Sequence, residues 1–345
     1  MRPTIRDVAQ HAGVSIKTVS RVLNDEPYVR DDTRARVLAS INYLGFVANL
    51  SAQRLAKGQA FAIGLLFHNA SWHYILDVQR GVLDTARAYG YSTLMHPCDI
   101  ERSLDTREIL EQATQRQVDG FILTPPADNA TALLERLDEM GVPFVRLSPC
   151  ERERDWPYVA ATDRAGARQM TEYLLSLGHT RIGYVRGPLD QKAGYDRHEG
   201  YRDALAGAAL PYDPGLLRQG DDQFEAGCAA ARSLLRMPNR PTAIFCNNDE
   251  MAAGACVGAR EVGLRLPADV SVAGFDDIPL ARQVWPALTT VCQPIYDLAA
   301  AATRMLIGLL NMEAPRRQVE LPTRLIPRAS TAPAPAKVFA APDPG

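Results

Sequence analysis

Residues 4–24 read TIRDVAQHAGVSIKTVSRVLN, two short helical patterns on either side of a Gly-Val-Ser turn. Thr4 can cap the first helix, with Asp7 three residues on as a variant of the capping box. Ile5, Val8 and Ala9 fall on its inner face. Gly13 supplies the backbone freedom that a tight turn demands, and Ser15 can cap the second helix. Val14, Val19, Val22 and Leu23 are spaced to pack that helix on the first. Ile16, Lys17, Thr18 and Arg21 are then left outward near its start. That is the layout of a helix-turn-helix whose second helix enters a DNA major groove.

After Asn24 a loop runs to Arg30, and a third helix is expected from Asp31 or Asp32, with Val37, Leu38, Ile41 and Leu44 on its apolar side and Gly45 as its breaker. Charge agrees with a nucleic-acid partner at this end. Residues 1–60 hold nine Lys or Arg against five acids, a balance of +4, while the 345-residue chain carries −2 in all. A basic head on an acidic body fits phosphate binding at one end only.

From Phe61 the pattern changes to short apolar runs between helical stretches. AIGLLF (62–67), YSTLM (91–95), GFILT (120–124), FVRL (144–147), IGYVRG (182–187), TAIFC (242–246) and VSVAGF (270–275) read as buried parallel strands. Amphipathic segments such as 75–89 and 106–116 lie between them. This alternation predicts an α/β body with open, doubly wound sheets, and its length suits two such sheets with a cleft between them. In such sheets a ligand sits beyond the carboxyl ends of the strands, which directs attention to Trp72 and Tyr74, to Thr124, to Arg197, to Asn247–Asp249, and to Asp276 and Asp277.

Composition excludes several classes. No run of about 18 apolar residues suggests a transmembrane helix, and the N-terminus lacks an apolar signal core, so a cytoplasmic protein is expected. The six cysteines are scattered without CxxC pairs or metal spacing, which fits reduced, mostly buried thiols. Neither a metal site nor a cofactor is expected. His68 and His73 lack the spacing and carboxylate company of a zinc site, and no G-x-S-x-G elbow, Walker loop or GxGxxG after a strand appears. His179, in SLGHTRIGYV, reads as a structural residue before a strand. The stretch from Thr331, TAPAPAKVFAAPDPG, is rich in Ala and Pro and reads as a disordered tail without a leucine heptad.

The segment TIRDVAQHAGVSIKTVSRVLN, continuing in TRARVLASINYLGFVAN and SAQRLAKG, resembles the headpiece of the lac repressor (LacI/GalR) family of bacterial transcription regulators. The resemblance implies a helix-turn-helix headpiece over 1–46, a hinge over 47–60, and a periplasmic-binding-protein-like core over 61–330. Of that core, about 61–161 with 292–325 would form an N-subdomain and about 162–291 a C-subdomain. It implies that Ile16, Lys17 and Arg21 touch bases while Thr4, Ser15, Thr18, Ser20 and Asn24 position phosphates. It also implies that Asn49–Lys57 becomes a helix only on DNA, with Leu55 wedged between base pairs and Ala52 beside it in the minor groove. Ala48 stands where relatives usually carry proline before the hinge Asn49.

In the core, the resemblance implies effector contacts from Arg197, Asn248 and Asp276, with Tyr74, Thr124 and Ser148 at more variable pocket positions. Trp72, Tyr74 and Phe224 are candidates to cover a sugar's apolar face. Asp222, where the family often has an aromatic, would add an acceptor pair to the site, unless it only caps the next helix. The partners so implied are double-stranded operator DNA, a second copy of the chain, and a neutral mono- or oligosaccharide. A regulator controlled by a partner protein, a solute-binding receptor and an enzyme are the competing readings.

Overall fold

The computed structural model describes residues 3–23, 27–46, 59–67, 72–98, 106–115, 117–150, 154–188 and 191–336. The chain divides into two compact units, Met1–Ala60 and Phe61–Gly345.

In the first unit, α1 (Ile5–Ala12), α2 (Ile16–Leu23) and α3 (Asp31–Leu44) surround a small core of Val8, Ala9, Ala12, Val19, Val22 and Val37. Gly13 turns the chain between α1 and α2 at φ 63°, and Gly45 ends α3 at φ 60°. Leu38, expected on the inner face of α3, is instead 47% exposed. The helix turns about 100° per residue, so Val37, Ile41 and Leu44 share a face that Leu38 has already left. Ser40 occupies that face; its hydroxyl donates to the Arg36 carbonyl at 2.9 Å and lies 3.0 Å from His11 Nδ1, tying α3 to α1.

The second unit holds two parallel sheets. The larger orders its strands β11 (Gln318–Leu321), β5 (Tyr158–Ala161), β4 (Phe144–Leu147), β3 (Gly120–Leu123), β1 (Ala62–Phe67) and β2 (Ser92–Pro97); the smaller runs β7 (Leu217–Gln219), β6 (Ile182–Arg186), β8 (Ala243–Cys246) and β9 (Ser271–Ala273). Each therefore reverses its strand order beside its first strand, at β1/β3 and at β6/β8, and the crevice at such a point is where an open α/β sheet receives a ligand. Strand β1 is buried along its whole length, as expected of a strand covered on both faces. Against the larger sheet pack α4 (Trp72–Ala88) and α12 (Ile295–Leu310). These two helices meet closely at Gly81, where a Cβ would stand 2.5 Å from the Tyr296 carbonyl oxygen.

All seven apolar runs read as strands are strands. Those the pattern missed in the two parallel sheets are short: the Ala-rich β5 (YVAA), inside its sheet, and the polar edge strands β7 (LRQ) and β11 (QVEL). Between the lobes the chain passes at Thr162, at Gln293 and at Thr323. The first and last of these are clasped together: the Thr323 N–H donates to Thr162 Oγ1 at 3.0 Å, and the Thr323 hydroxyl donates to the Thr162 carbonyl at 3.2 Å. A two-strand antiparallel pair, β10 (Thr290–Cys292) with β12 (Arg324–Ile326), lies beside them.

The expected disordered tail from Thr331 does not hold for residues 331–336. Ala332 exchanges hydrogen bonds with Ser271, its carbonyl faces His179 Nε2 at 3.0 Å, and the Ala334 N–H donates to the Leu177 carbonyl at 2.8 Å. Composition registered the Ala and Pro content but not the edge of the smaller sheet that this backbone joins. Residues 337–345 lie outside the described residues.

Candidate nucleic-acid interface and ligand cleft

The start of α1 is fixed by Asp7, whose carboxylate accepts from the Thr4 N–H at 2.7 Å and the Thr4 hydroxyl at 2.8 Å. Those two bonds hold the Asp7 carboxyl below the usual carboxylate range. The start of α2 is fixed by Ser15, whose Oγ accepts from the Thr18 N–H at 3.1 Å and lies 2.9 Å from Thr18 Oγ1. Packing Val19 and Val22 inward then turns Ile16 and Lys17 to solvent, with Ile16 45% exposed. An isoleucine left this open on a helix that buries its valines can meet a thymine methyl. Thr18, Ser20 and Arg21 are half-buried on the flanks of the same turn, and Thr4 is exposed. The candidate residues Asn24, Asn49, Ala52 and Leu55 lie outside the described residues.

The cleft of the second unit opens where the reversal points of the two sheets face each other. It holds about 700 Å³ of space free of protein atoms, open to solvent at its mouth, and is lined from both lobes. Tyr74, Ile75, Pro125 and Ser148 come from the larger-sheet lobe. Arg197, Asp222, Asn247, Asn248 and Asp276 come from the smaller, and Gln293 from a crossover.

Arg197, 4% exposed, is the centre of the second wall. Its Nε donates to Asp163 Oδ1 at 2.8 Å and its Nη1 to the Asn247 carbonyl at 2.6 Å; Nη2 is 2.9 Å from Asp276 Oδ1, and the guanidinium lies 3.8 Å over the Phe275 ring. Burial alone would favour a neutral group, yet Asp276 and Asp163 on either side hold the guanidinium charged. Asp222 lies three residues beyond the end of β7, and its Oδ1 accepts from Asn247 Nδ2 at 2.9 Å. Its other expected role fails, because the N-cap of the helix after it is Gln223, with no side-chain cap bond, and it is Asp221 Oδ1 that accepts from the Gln223 N–H. Burial pushes the Asp222 carboxyl up to about 6. Asn248 is spent on the fold: Oδ1 caps α10 (Asp249–Glu261) by accepting from the Met251 N–H, and Nδ2 donates to the Asp222 carbonyl.

Three lining residues hold left-handed backbone: Ser148 at φ 57°, Asp222 at 66° and Asp276 at 104°. Such conformations cost on the order of 1–3 kcal/mol each and gather where a site demands them. Thr124 is not brought to the lining. It is fully buried, and its hydroxyl donates to the Leu66 carbonyl at 3.1 Å, so Pro125 takes the place at the cleft. Trp72 is 73% exposed and lines nothing there, and Phe224 is likewise outside the lining. Sequence reasoning pointed to Asn247 as a residue after a strand without placing it among the effector contacts, and it did not select Gln191, Gln293 or the arginine's partner Asp163. Asn247 follows β8 directly, and its position after a strand was the available signal.

Comparison with known proteins accords with both halves of this description. Residues 4–49 match bacterial regulatory proteins of the lacI family, and residues 171–331 match a periplasmic binding protein-like domain. Catabolite control protein A of Priestia megaterium is 34% identical over 96% of this chain and 100% of its own length. The ribose operon repressor of Halalkalibacterium halodurans is 35% identical over 95% and 97%. The chain belongs to the lacI family. Among solved structures, the lac repressor dimer bound to operator and the anti-inducer ONPF superposes with a TM-score of 0.77 at 28% identity, over 96% of this chain and 100% of that one. The transcriptional regulator CelR in complex with cellobiose gives 0.72 at 31%, over 95% and 100%. As a lacI-family protein, this chain is a DNA-binding regulator of transcription built on the lac repressor fold. No described helix is long and apolar enough to cross a membrane.

Proposed function

We propose that the protein is a homodimeric repressor of carbohydrate uptake or catabolism genes, gated by a small sugar in the cleft and without catalytic activity of its own. The observation that carries this reading is the buried Arg197 set between Asp163 and Asp276 at a cavity lined from both lobes. Planar, multidentate groups of this kind suit vicinal hydroxyls. The CelR complex with cellobiose and the Enterococcus faecium lacI-family regulator with bound ribose support the ligand class.

A ligand touching both walls favours one setting of the lobes by no more than its differential affinity for the two settings. The hinge over 49–57, with Asn49, Ala52 and Leu55 in the minor groove, would convert that setting into operator affinity. Ordering nine backbones costs on the order of 9–18 kcal/mol gross, which a short isolated helix does not recover. Two hinges folding together on a bent operator do recover it. Ile16, Lys17 and Arg21 would read bases, with Thr4, Ser15, Thr18, Ser20 and Asn24 on phosphates. Mobility-shift titration on an operator selected from random duplexes tests this. Arg21→Ala should lose roughly 1–3 kcal/mol at one base pair and relax preference there, and an unchanged base preference would refute the assignment.

A further inference from the structure

On the Arg197 side of the cleft each side-chain nitrogen of Arg197, Asn247 and Asn248 already has a partner, whereas several oxygens do not. Arg197 donates from Nε to Asp163 and from Nη1 to the Asn247 carbonyl and forms an ion pair with Asp276, while Asn247 Nδ2 donates to the Asp222 carboxylate and Asn248 Nδ2 to the Asp222 backbone carbonyl. Against this, Asn247 Oδ1 and Gln293 Oε1 find no hydrogen-bond partner among the described residues, although the two side chains are only 3% and 6% exposed. Because Asp222 takes the Asn247 amide N–H, the Asn247 side chain cannot be turned over to use that oxygen otherwise. Asp222 itself accepts only at Oδ1 among the described residues.

Charge points the same way. Among the described lining residues Arg197 is the one cation, against Asp222 and Asp276, and it also faces Asp163, so negative charge is in excess when the carboxyls are ionised. Lys192 does not correct this, being paired with Asp196 at 2.8 Å. An anionic ligand would meet repulsion here. A hydroxyl brings one donor but also two lone pairs to a wall whose side-chain nitrogens already have partners, whereas an ammonium brings three donors and no acceptor.

We infer that the sugar taken by this cleft carries a protonated amino group, held by the Asp222 carboxylate with the Asn247 side-chain oxygen beside it. The ligand class is thus an amino sugar in place of the neutral sugar that the sequence suggests. The inference rests on the sugar-gated reading. Burial places Asp222 at about 6, with Arg197, Asp276 and Asp221 as the charged groups facing it, so its grip on a cation weakens as pH falls through that value.

Calorimetric titration of the full chain with glucosamine, galactosamine and mannosamine, each beside its neutral parent sugar at about pH 7, decides the matter. At least one amino sugar should bind about tenfold more tightly than its parent. The gap should shrink below about threefold in Asp222→Asn, and also in the unsubstituted protein at about pH 5. Asparagine tolerates the left-handed backbone of position 222, and an unchanged melting midpoint at about pH 5, where the Asp222 carboxyl is protonated, would verify that the variant folds. Neutral parents binding as tightly as amino sugars, or a gap that survives Asp222→Asn, would overturn the inference and leave the sugar-gated reading standing. If no sugar of either kind binds or alters operator retention, the sugar-gated reading falls and takes the inference with it.

Discussion

From one lobe the cleft receives Tyr74, Ile75, Pro125 and Ser148; from the other it receives Arg197, Asp222, Asn247, Asn248 and Asp276. The first wall is a set of surfaces, and few of its polar atoms are tied to anything. The second is a network in which each side-chain nitrogen of Arg197, Asn247 and Asn248 already has a partner in the same lobe or beside it, so the groups that recognise polar ligand atoms also hold their own lobe together. Grip and stability are therefore inseparable on one side of the cleft and separable on the other.

The sharpest way to break that contrast is Arg197→Ala. Removing the guanidinium takes from the buried Asp163 and Asp276 the cation that both face, and unfolding in urea should become easier by about 3–5 kcal/mol. A cost below about 1 kcal/mol would show that the second wall is no more structural than the first. Next in size is the pH dependence of Asp222. Its folded carboxyl titrates at about 6 against an ordinary 3.8. Between those values the unfolded chain gives up its proton first, so this group's contribution to stability falls as pH rises from about 4 to 6 and stays low above. Asp222→Asn should lack that fall, worth on the order of 3 kcal/mol at 1.36 kcal/mol per pKa unit, in unfolding curves measured across the window. Parallel curves for the two proteins would contradict it. The smallest effect belongs to the first wall. Tyr74→Phe should change unfolding by less than about 0.5 kcal/mol, yet weaken a bound sugar by about 0.5–1.5 kcal/mol if the hydroxyl meets it. A larger loss of stability than of affinity would erase the distinction between the walls.

The sequence carried the elements more clearly than the site. Strands such as AIGLLF declare themselves because burial on both faces leaves no polar position. The first two helices do so because Thr4, Gly13 and Ser15 punctuate them. Leu38 misled because apolarity was counted without the 100° step that separates it from Val37. Within the cleft, Arg197 and Asp276 were readable as residues following strands and Asp222 through the family resemblance, but the strand rule also put forward Thr124, whose hydroxyl turns back into the sheet toward Leu66. Which of two successive residues faces the cavity is set by the backbone turn after the strand, and apolar periodicity ends before that turn. Asp163 was out of reach for a different reason: it meets Arg197 across 34 positions of chain, and nothing local marks it.

The backbone around Ala332 has a consequence for how the molecule is made. It completes the edge of the smaller sheet through Ser271, His179 and Leu177, while the larger sheet waits for β11 at 318–321. During synthesis on a ribosome, neither lobe can finish its hydrogen bonding until more than nine-tenths of the chain has left the exit tunnel. The body must then close both sheets almost at once, whereas a helical headpiece whose contacts are all local can have formed long before.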